Sequence, residues 1–309
     1  MELLSHTPKF DVASASRIAE KLFGVRATAR MLPSERDQNF LLTTPEGAKF
    51  VLKIANGLES RELLEAQNAV LEHLETRVSF SPSVVPALNG ELISRESNYY
   101  VRLVTYLPGE DLSSAMPYSP ELLRDFGRKL GQMDRALADF DHPAFHRDFH
   151  WDLANGNRVI DQYVGLLDSA ELRERVLECR FEATTELRRS VIHGDANDYN
   201  VLVDGDSVVG IIDFGDMVYS WTVGNLAIAI AYVVLDRTVS LAAVRQMTAG
   251  YMKEFPLTRE ERAVLRKLAR LRMAMSLCIG EYQRKQRPKN KYLQISQQAI
   301  KRVLLRLFK

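Results

Sequence analysis

The chain has 309 residues and a mass of 35.1 kDa, enough for two domains of roughly 150 residues, and 46% of it is hydrophobic. Its 41 Lys and Arg against 40 Asp and Glu leave a net charge of +1, which excludes the broad basic surface of a dedicated nucleic-acid binder, so any handling of phosphate is local. Two cysteines, Cys179 and Cys278, exclude a disulfide scaffold, and Met1 to Phe10 lacks the apolar run of a signal peptide, so the expectation is a cytoplasmic protein with reduced thiols.

The first third alternates a helix with strand-like runs. Asp11 opens a helix whose apolar positions Val12, Ala15, Ile18, Ala19, Leu22 and Phe23 keep helical spacing, and Gly24 stops it. Runs at 39–43 and 49–55 flank Pro45-Glu46-Gly47 and predict a hairpin. Leu63, Leu64, Val70, Leu71 and Leu74 mark one face of a helix over about residues 59–76. A further hairpin is expected from runs at 90–94 and 98–106, and Pro108-Gly109 then breaks the chain. The expected division is an N-terminal lobe of residues 1–106 and a C-terminal lobe of residues 107–309.

The remainder reads as mostly helical. Ser119-Pro120 starts a helix carrying Leu123, Phe126, Leu130, Met133 and Leu137. Others are expected over 169–189, 221–236 and 240–254, from the Thr258/Glu261 capping box onward, and from about residue 290 to the end. The uncharged run 217–235 is strongly apolar only from Leu226, which fits a buried core helix and not a membrane span. Between Val191 and Asp213 the period changes, and Asp204-Gly205 sits between two strand-like runs as a hairpin turn.

That stretch carries the chemistry: His193-Gly194-Asp195-Ala196-Asn197-Asp198-Tyr199-Asn200, the hairpin, then Ile211-Ile212-Asp213-Phe214-Gly215-Asp216. Phosphoryl transfer needs a carboxylate at the attacking hydroxyl and oxygen ligands for Mg²⁺. A short loop places Asp195 and Asn200 at its two ends, and the hairpin returns Asp213 beside Asn200. His-x-Asp with Asn five residues later, followed by Asp-Phe-Gly, resembles the catalytic and metal loops of the protein-kinase fold. With Gly194 in place of the protein-kinase arginine, the stretch resembles the aminoglycoside phosphotransferase-like family of small-molecule kinases. Neither Gly-x-Gly-x-x-Gly nor a P-loop occurs.

The resemblance implies an α+β, bilobed protein-kinase-like fold and a site assembled from both lobes. Lys53, in the run Phe50 to Ile54, would hold the α- and β-phosphates, oriented by Glu65 or Glu62 on the next helix. Arg36, Gln38 and Asn39 fall in the nucleotide-positioning loop, and Thr105, Tyr106 and Leu107 in the base-binding hinge. Asp195 would take the hydroxyl proton, His193 brace the loop, and Asn200 and Asp213 hold Mg²⁺. Asp216 would meet an ammonium group or a metal-bound water, or cap the next helix. Asp198 has the same alternatives, with a turn role favoured, while Trp151 and Glu281 are candidates for the acceptor side.

His146-Arg147-Asp148 imitates the catalytic triplet, but the fifth residue after Asp148 is Leu153 and no Asp-Phe-Gly follows. Zinc at His142, His146, His150 and Asp152 is the rival chemistry, opposed by Pro143. Within the family, the segment from Tyr100 to Gly109 and Asp213 to Met217 with Tyr219 resemble hydroxylysine kinases. This implies a hydroxylated amine or amino acid as acceptor, with ATP or GTP as phosphate donor. The alternatives are a kinase for homoserine, choline, ethanolamine or an aminoglycoside, and a non-catalytic nucleotide-binding module. If the C-terminus lines the acceptor pocket, as the resemblance implies from several relatives, the basic run from Lys301 to Lys309 disfavours a polycationic aminoglycoside.

Overall fold

The computed structural model describes residues 6–34, 36–235, 241–286 and 296–306. The chain divides into two compact units, Met1–Pro108 and Gly109–Lys309.

In the first unit, α1 (Val12–Phe23) starts where the Asp11 carboxylate accepts the Ser14 N–H at 2.7 Å and ends at Gly24, φ 68°. Its Ala15, Ile18, Ala19 and Phe23 pack on Phe40, Leu42, Leu52, Ile54, Val101 and Leu103. These are alternate residues of β2 (Gln38–Thr43), β3 (Lys49–Ile54) and β6 (Tyr99–Thr105). The two-residue period sends Asn39, Lys53 and Arg102, which pair across the three strands, to the other face. There α2 (Arg61–Glu75) covers them, with Leu64 packed against Ala55 and Ile93. Burying Ile18 and Phe23 stabilises the α1 contact by about 1.5–3 kcal/mol each.

The antiparallel sheet runs β1 (Thr28–Leu32), β2, β3, β6, β4 (Val84–Val85), with β5 (Ser94–Glu96) also on β6. The edge strand β1 (Thr28–Leu32) is not legible in the sequence, because its mostly exposed residues show no apolar alternation. The first arm of the expected second hairpin lies later than predicted, at β5 (Ser94–Glu96), where Ser97 (φ 54°) makes the turn. Strand β4 is only Val84–Val85.

In the second unit, α3 (Pro120–Ala136) packs on α7 (Leu241–Glu254) through backbone contact at glycines. A Cβ on Gly127 would lie 1.9 Å from the Met247 carbonyl oxygen, and one on Gly250 1.9 Å from that of Arg124. Helix α6 (Thr222–Val233) is buried along nearly its whole length, as its all-round apolar sequence requires. It packs on α8 (Arg259–Gln286), which opens on the expected reciprocal box: Thr258 N–H to Glu261 Oε2 at 2.9 Å and Glu261 N–H to Thr258 Oγ1 at 3.2 Å. Among the described residues no helix is long and apolar enough to cross a membrane.

Two small antiparallel sheets carry the loops of interest. One orders β10 (Ser207–Ile211), β9 (Val201–Asp204) and β7 (Glu110–Asp111); the other pairs β8 (Arg189–Ile192) with β11 (Val218–Trp221). The helix expected over 169–189 is confined to α5 (Ala170–Leu177). Beyond it, Asn157 of α4 (Gly156–Tyr163) clamps the Phe181 backbone with two bonds of 2.9 Å, an extended pairing that a continuing helix could not offer. The last helix, α9, spans Gln297–Arg306; its expected start near residue 290 and the final residues 307–309 lie outside the described residues.

Candidate active site

Strand β8 leads into the loop that begins at His193, a fully buried residue whose two ring nitrogens are both engaged. Nε2 lies 3.1 Å from the Ile212 carbonyl and Nδ1 3.3 Å from the Asp195 N–H. The first is therefore the protonated nitrogen and the second the acceptor. The ring is edge-on to Phe214 at 4.9 Å, so one imidazole joins the Asp195 loop to the segment that carries Asp213. Gly194 follows at φ 77°, and a Cβ there would stand 2.7 Å from the Asp216 carbonyl oxygen. The slot that holds arginine in protein kinases thus has no room for any side chain here.

Asp195 is fixed at both carboxylate oxygens. Oδ2 accepts from Asn197 Nδ2 at 3.0 Å and Asn200 Nδ2 at 2.9 Å, while Oδ1 accepts from Arg272 Nη2 at 2.8 Å. Burial pushes this carboxyl up, to about 7, against the pull of Arg272; the nearby Asp216 and Asp213 carboxylates add to the rise. Such competition between burial and charge is common where proton transfer is performed.

Asn200 stands at the start of β9, and its carbonyl accepts the Ile212 N–H at 2.9 Å, which brings Asp213 beside it. Because the Asn200 amide nitrogen is committed to Asp195, its side-chain oxygen is the group left to present to a cation. Asp213 takes left-handed backbone geometry, φ 64°, with an exposed side chain. An amide oxygen and a carboxylate fit Mg²⁺, which takes few protein ligands and completes its shell with phosphates and water. No group of three His, Cys, Asp or Glu side chains among the described residues could hold a metal ion. The histidines of the rival zinc site are dispersed: His142 caps Ala144, while His146 bonds Asp141 and stacks on Tyr219 at 4.2 Å.

In the first unit, half-buried Lys53 lies between Asn39 of β2 and Arg102 of β6 in the strand register. The glutamate expected to orient it is engaged elsewhere: Glu65 is half exposed and pairs with Arg61 at 2.7 Å, and Glu62 is exposed. The phase of α2 instead turns Gln67 and Asn68 inward, and these accept from Arg102 at 2.6 and 2.9 Å. Gln38 also departs from the expectation, since both ends of its buried amide are bonded to the Phe10 backbone, at 2.8 and 2.7 Å. The Arg36 carbonyl accepts from the Asn56 side chain, tying the candidate positioning loop down, whereas Glu35 is outside the described residues. Thr105 ends β6, exchanging bonds with Ser83; Tyr106 and Leu107 continue as irregular, partly buried backbone, with Lys49 over the Tyr106 ring at 5.3 Å.

Of the acceptor-side candidates, Asp216 is buried close enough to Asp195 to raise its pKa, and Trp151 stacks on the Arg272 guanidinium, ring centroid to Cζ 4.4 Å. The Asp198 carbonyl accepts the Ser113 N–H at 2.9 Å, which ties the catalytic loop to the 112–114 turn. Glu281 is two and a half helical turns past Arg272 and bonds Arg284, so it is not brought to Asp195. Within the decoy triplet, Asp148 pairs with surface Arg158, but Arg147 donates to the Gly215 and Met217 carbonyls at 3.0 and 2.8 Å and thereby braces the segment after Asp213.

Arg272, Asn197 and Arg147 escape the sequence reading. Only Arg272 left a signal, as the one charge in the otherwise uncharged run from Leu271 through Gly280 except Glu281 beyond it.

The ordered series of His-Gly-Asp, Asn and Asp-Phe-Gly, folded so that the half-buried Asp195 carboxylate adjoins the Asn200 amide and the Asp213 loop, defines a phosphotransferase acting on an alcohol group. A family model described as the phosphotransferase enzyme family matches residues 28–268. The chain belongs to that family. It is similar to hydroxylysine kinase from Mus musculus, at 35% identity, with 98% of this chain and 91% of that protein covered. In fold it is similar to amicoumacin kinase, solved with AMP-PNP and Ca²⁺ (TM-score 0.73, 14% identity, covering 96% of this chain and 93% of that one). It is also similar to a microcompartment-associated aminopropanol kinase (TM-score 0.70, 18% identity, 96% and 98% covered). These place the chain in the protein-kinase-like fold.

Proposed function

We propose that the chain transfers the γ-phosphate of ATP or GTP to the hydroxyl of a small hydroxylated amino acid, with 5-hydroxylysine as the acceptor. The observation that carries the acceptor is the near full-length identity to hydroxylysine kinase. The near-zero net charge supports a small molecule over a nucleic acid, and the two free buried thiols support a cytoplasmic setting.

In this reading Asp195 orients the acceptor hydroxyl. As the acceptor oxygen bonds to the γ-phosphorus, the bond from that phosphorus to the β-phosphate bridging oxygen breaks, and Asp195 takes the hydroxyl proton. Lys53 pairs with the α- and β-phosphates, and Asn39 and Arg36 lie where the phosphates are covered. Thr105, Tyr106 and Leu107 offer backbone groups to the base. Asn200 and Asp213 hold Mg²⁺, which when bound neutralises charge gathering on the transferred group. His193 keeps the two loops in register. Asp216 receives the acceptor ammonium and Trp151 walls its aliphatic chain.

The test is a screen of the purified chain with ATP and GTP against hydroxylysine, homoserine, choline, ethanolamine, methylthioribose and an aminoglycoside. Hydroxylysine should be phosphorylated with kcat/KM at least about tenfold above the others, a modest margin for groups read by buried polar contacts. Transfer to none of the amino-bearing acceptors, or preference for another of them, overturns the assignment.

A further inference from the structure

We propose that Arg272 is a positioning residue for the transfer step: it fixes the rotation of the Asp195 carboxylate and ties it to Trp151. The proposal rests on the reading of Asp195 as the group that meets the acceptor hydroxyl.

Arg272 comes from the middle of α8, more than seventy residues beyond the catalytic loop, and its side chain is only 2% exposed. Nη2 donates to Asp195 Oδ1 at 2.8 Å and Nη1 to the Trp151 carbonyl at 3.1 Å. The guanidinium plane meets the Trp151 ring at 4.4 Å and the Tyr232 ring of α6 at 5.7 Å. Its Nε–H is buried with no hydrogen-bond partner.

Stability alone does not account for this arrangement. A buried ion pair is often no better than well-packed apolar side chains, and an orphaned buried donor costs about 1–3 kcal/mol. An apolar residue at 272 would continue the stripe made by Leu268, Leu271 and Met275. What the arginine adds is geometry. Asn197 and Asn200 both bond Oδ2, so they form a pivot about which Oδ1 would otherwise swing. Arg272 occupies one lone-pair direction of Oδ1 and leaves the other for the acceptor hydroxyl. The same guanidinium holds the backbone and ring of Trp151, so the acceptor wall and the proton acceptor share one anchor. Lysine keeps the charge and loses the fork that reaches both.

The experiment is a double-mutant cycle on the full chain, using Arg272→Gln and Arg272→Lys with and without Asp195→Asn. A misplaced reacting group costs about 10²-fold. Arg272→Gln should therefore lower kcat about 10²-fold and Arg272→Lys at least about tenfold, with nucleotide affinity by calorimetry within about twofold of wild type. In the Asp195→Asn background, Arg272→Gln should cause no further loss of residual kcat. The proposal is overturned if either arginine variant keeps kcat within about twofold, or if its fold-loss is the same with Asp195→Asn present. The melting temperatures of wild type, Arg272→Gln, Asp195→Asn and their double variant test the coupling without any acceptor. Each single substitution should lower the midpoint more than the double does, because each alone leaves its partner without the group that satisfies it. Additive shifts count against the proposal whatever the true acceptor is, whereas failure of wild type to phosphorylate hydroxylysine counts only against the functional reading.

Discussion

Asp134 shows how far a single side chain can reach into the loop. It is fully buried on α3 and accepts from Tyr251 Oη at 2.5 Å and Asn225 Nδ2 at 2.7 Å, while Asn225 Oδ1 accepts the Gly194 N–H at 3.3 Å. Burial pushes the Asp134 carboxyl up from 3.8 to about 7, with the two donors and Arg188 pulling the other way. An acid raised in the folded state favours the protonated native form. Its stabilisation is complete below about pH 4 and is lost as pH rises through 7, a change on the order of 4 kcal/mol. Asp134→Asn should therefore flatten the pH dependence: the melting-temperature advantage of wild type over the variant shrinks between pH 4 and pH 8. Parallel curves would remove Asp134 from the account.

Legibility at this scale followed sequence distance. His193, Asp195, Asn200 and Asp213 fall within one loop and one hairpin, so their convergence could be argued from turn chemistry. Arg272, Asn225 and Asp134 arrive on three separate helices; nothing local marks Asn225 or Asp134, and Arg272 shows only as a lone charge in an uncharged run. Glu65 shows the opposite case. It lies on the predicted helix, but the phase that buries Leu64, Gln67 and Asn68 points it at Arg61 and solvent.

Among the elements, strong periodicity and capping chemistry located α1, α2 and α3, and the start of α8, to within about two residues, as expected for long patterned segments. Short strands such as β8 and β11 were lost because four residues beside apolar helices carry no readable period. The α5 terminus was missed because its stop signal, Asn157, lies outside the segment. The α3–α7 pair yields the sharpest prediction for an element. A methyl group on Gly250 would enter the backbone at Arg124, and close approach also at Gly127 and Gly131 leaves the two helices no local way to separate. Gly250→Ala should destabilise the chain by about 3 kcal/mol or more, lowering the midpoint on the order of 5 °C in thermal unfolding. An unchanged midpoint would mean that the two helices are not so closely packed.

For the whole molecule, the balance of 41 basic and 40 acidic residues acquires a local meaning. In the proposed function the positive charge needed is local, at Lys53 in the first unit, while in the second Arg272 balances Asp195, close to Asp213 and Asp216. A chain so built needs neither a basic face nor a glycine-rich phosphate loop, and the ordered motifs, not the composition, indicated the chemistry.

The central claim is that this chain phosphorylates hydroxylysine through Asp195. It is tested most directly by hydroxylysine-dependent nucleotide consumption in wild type and Asp195→Ala, measured alongside Mg-nucleotide affinity. The account predicts turnover by wild type, a loss of about 10²–10⁴-fold in the variant, and nucleotide affinity within about threefold between the two. Full turnover by Asp195→Ala, or no hydroxylysine-dependent consumption by wild type, would contradict it.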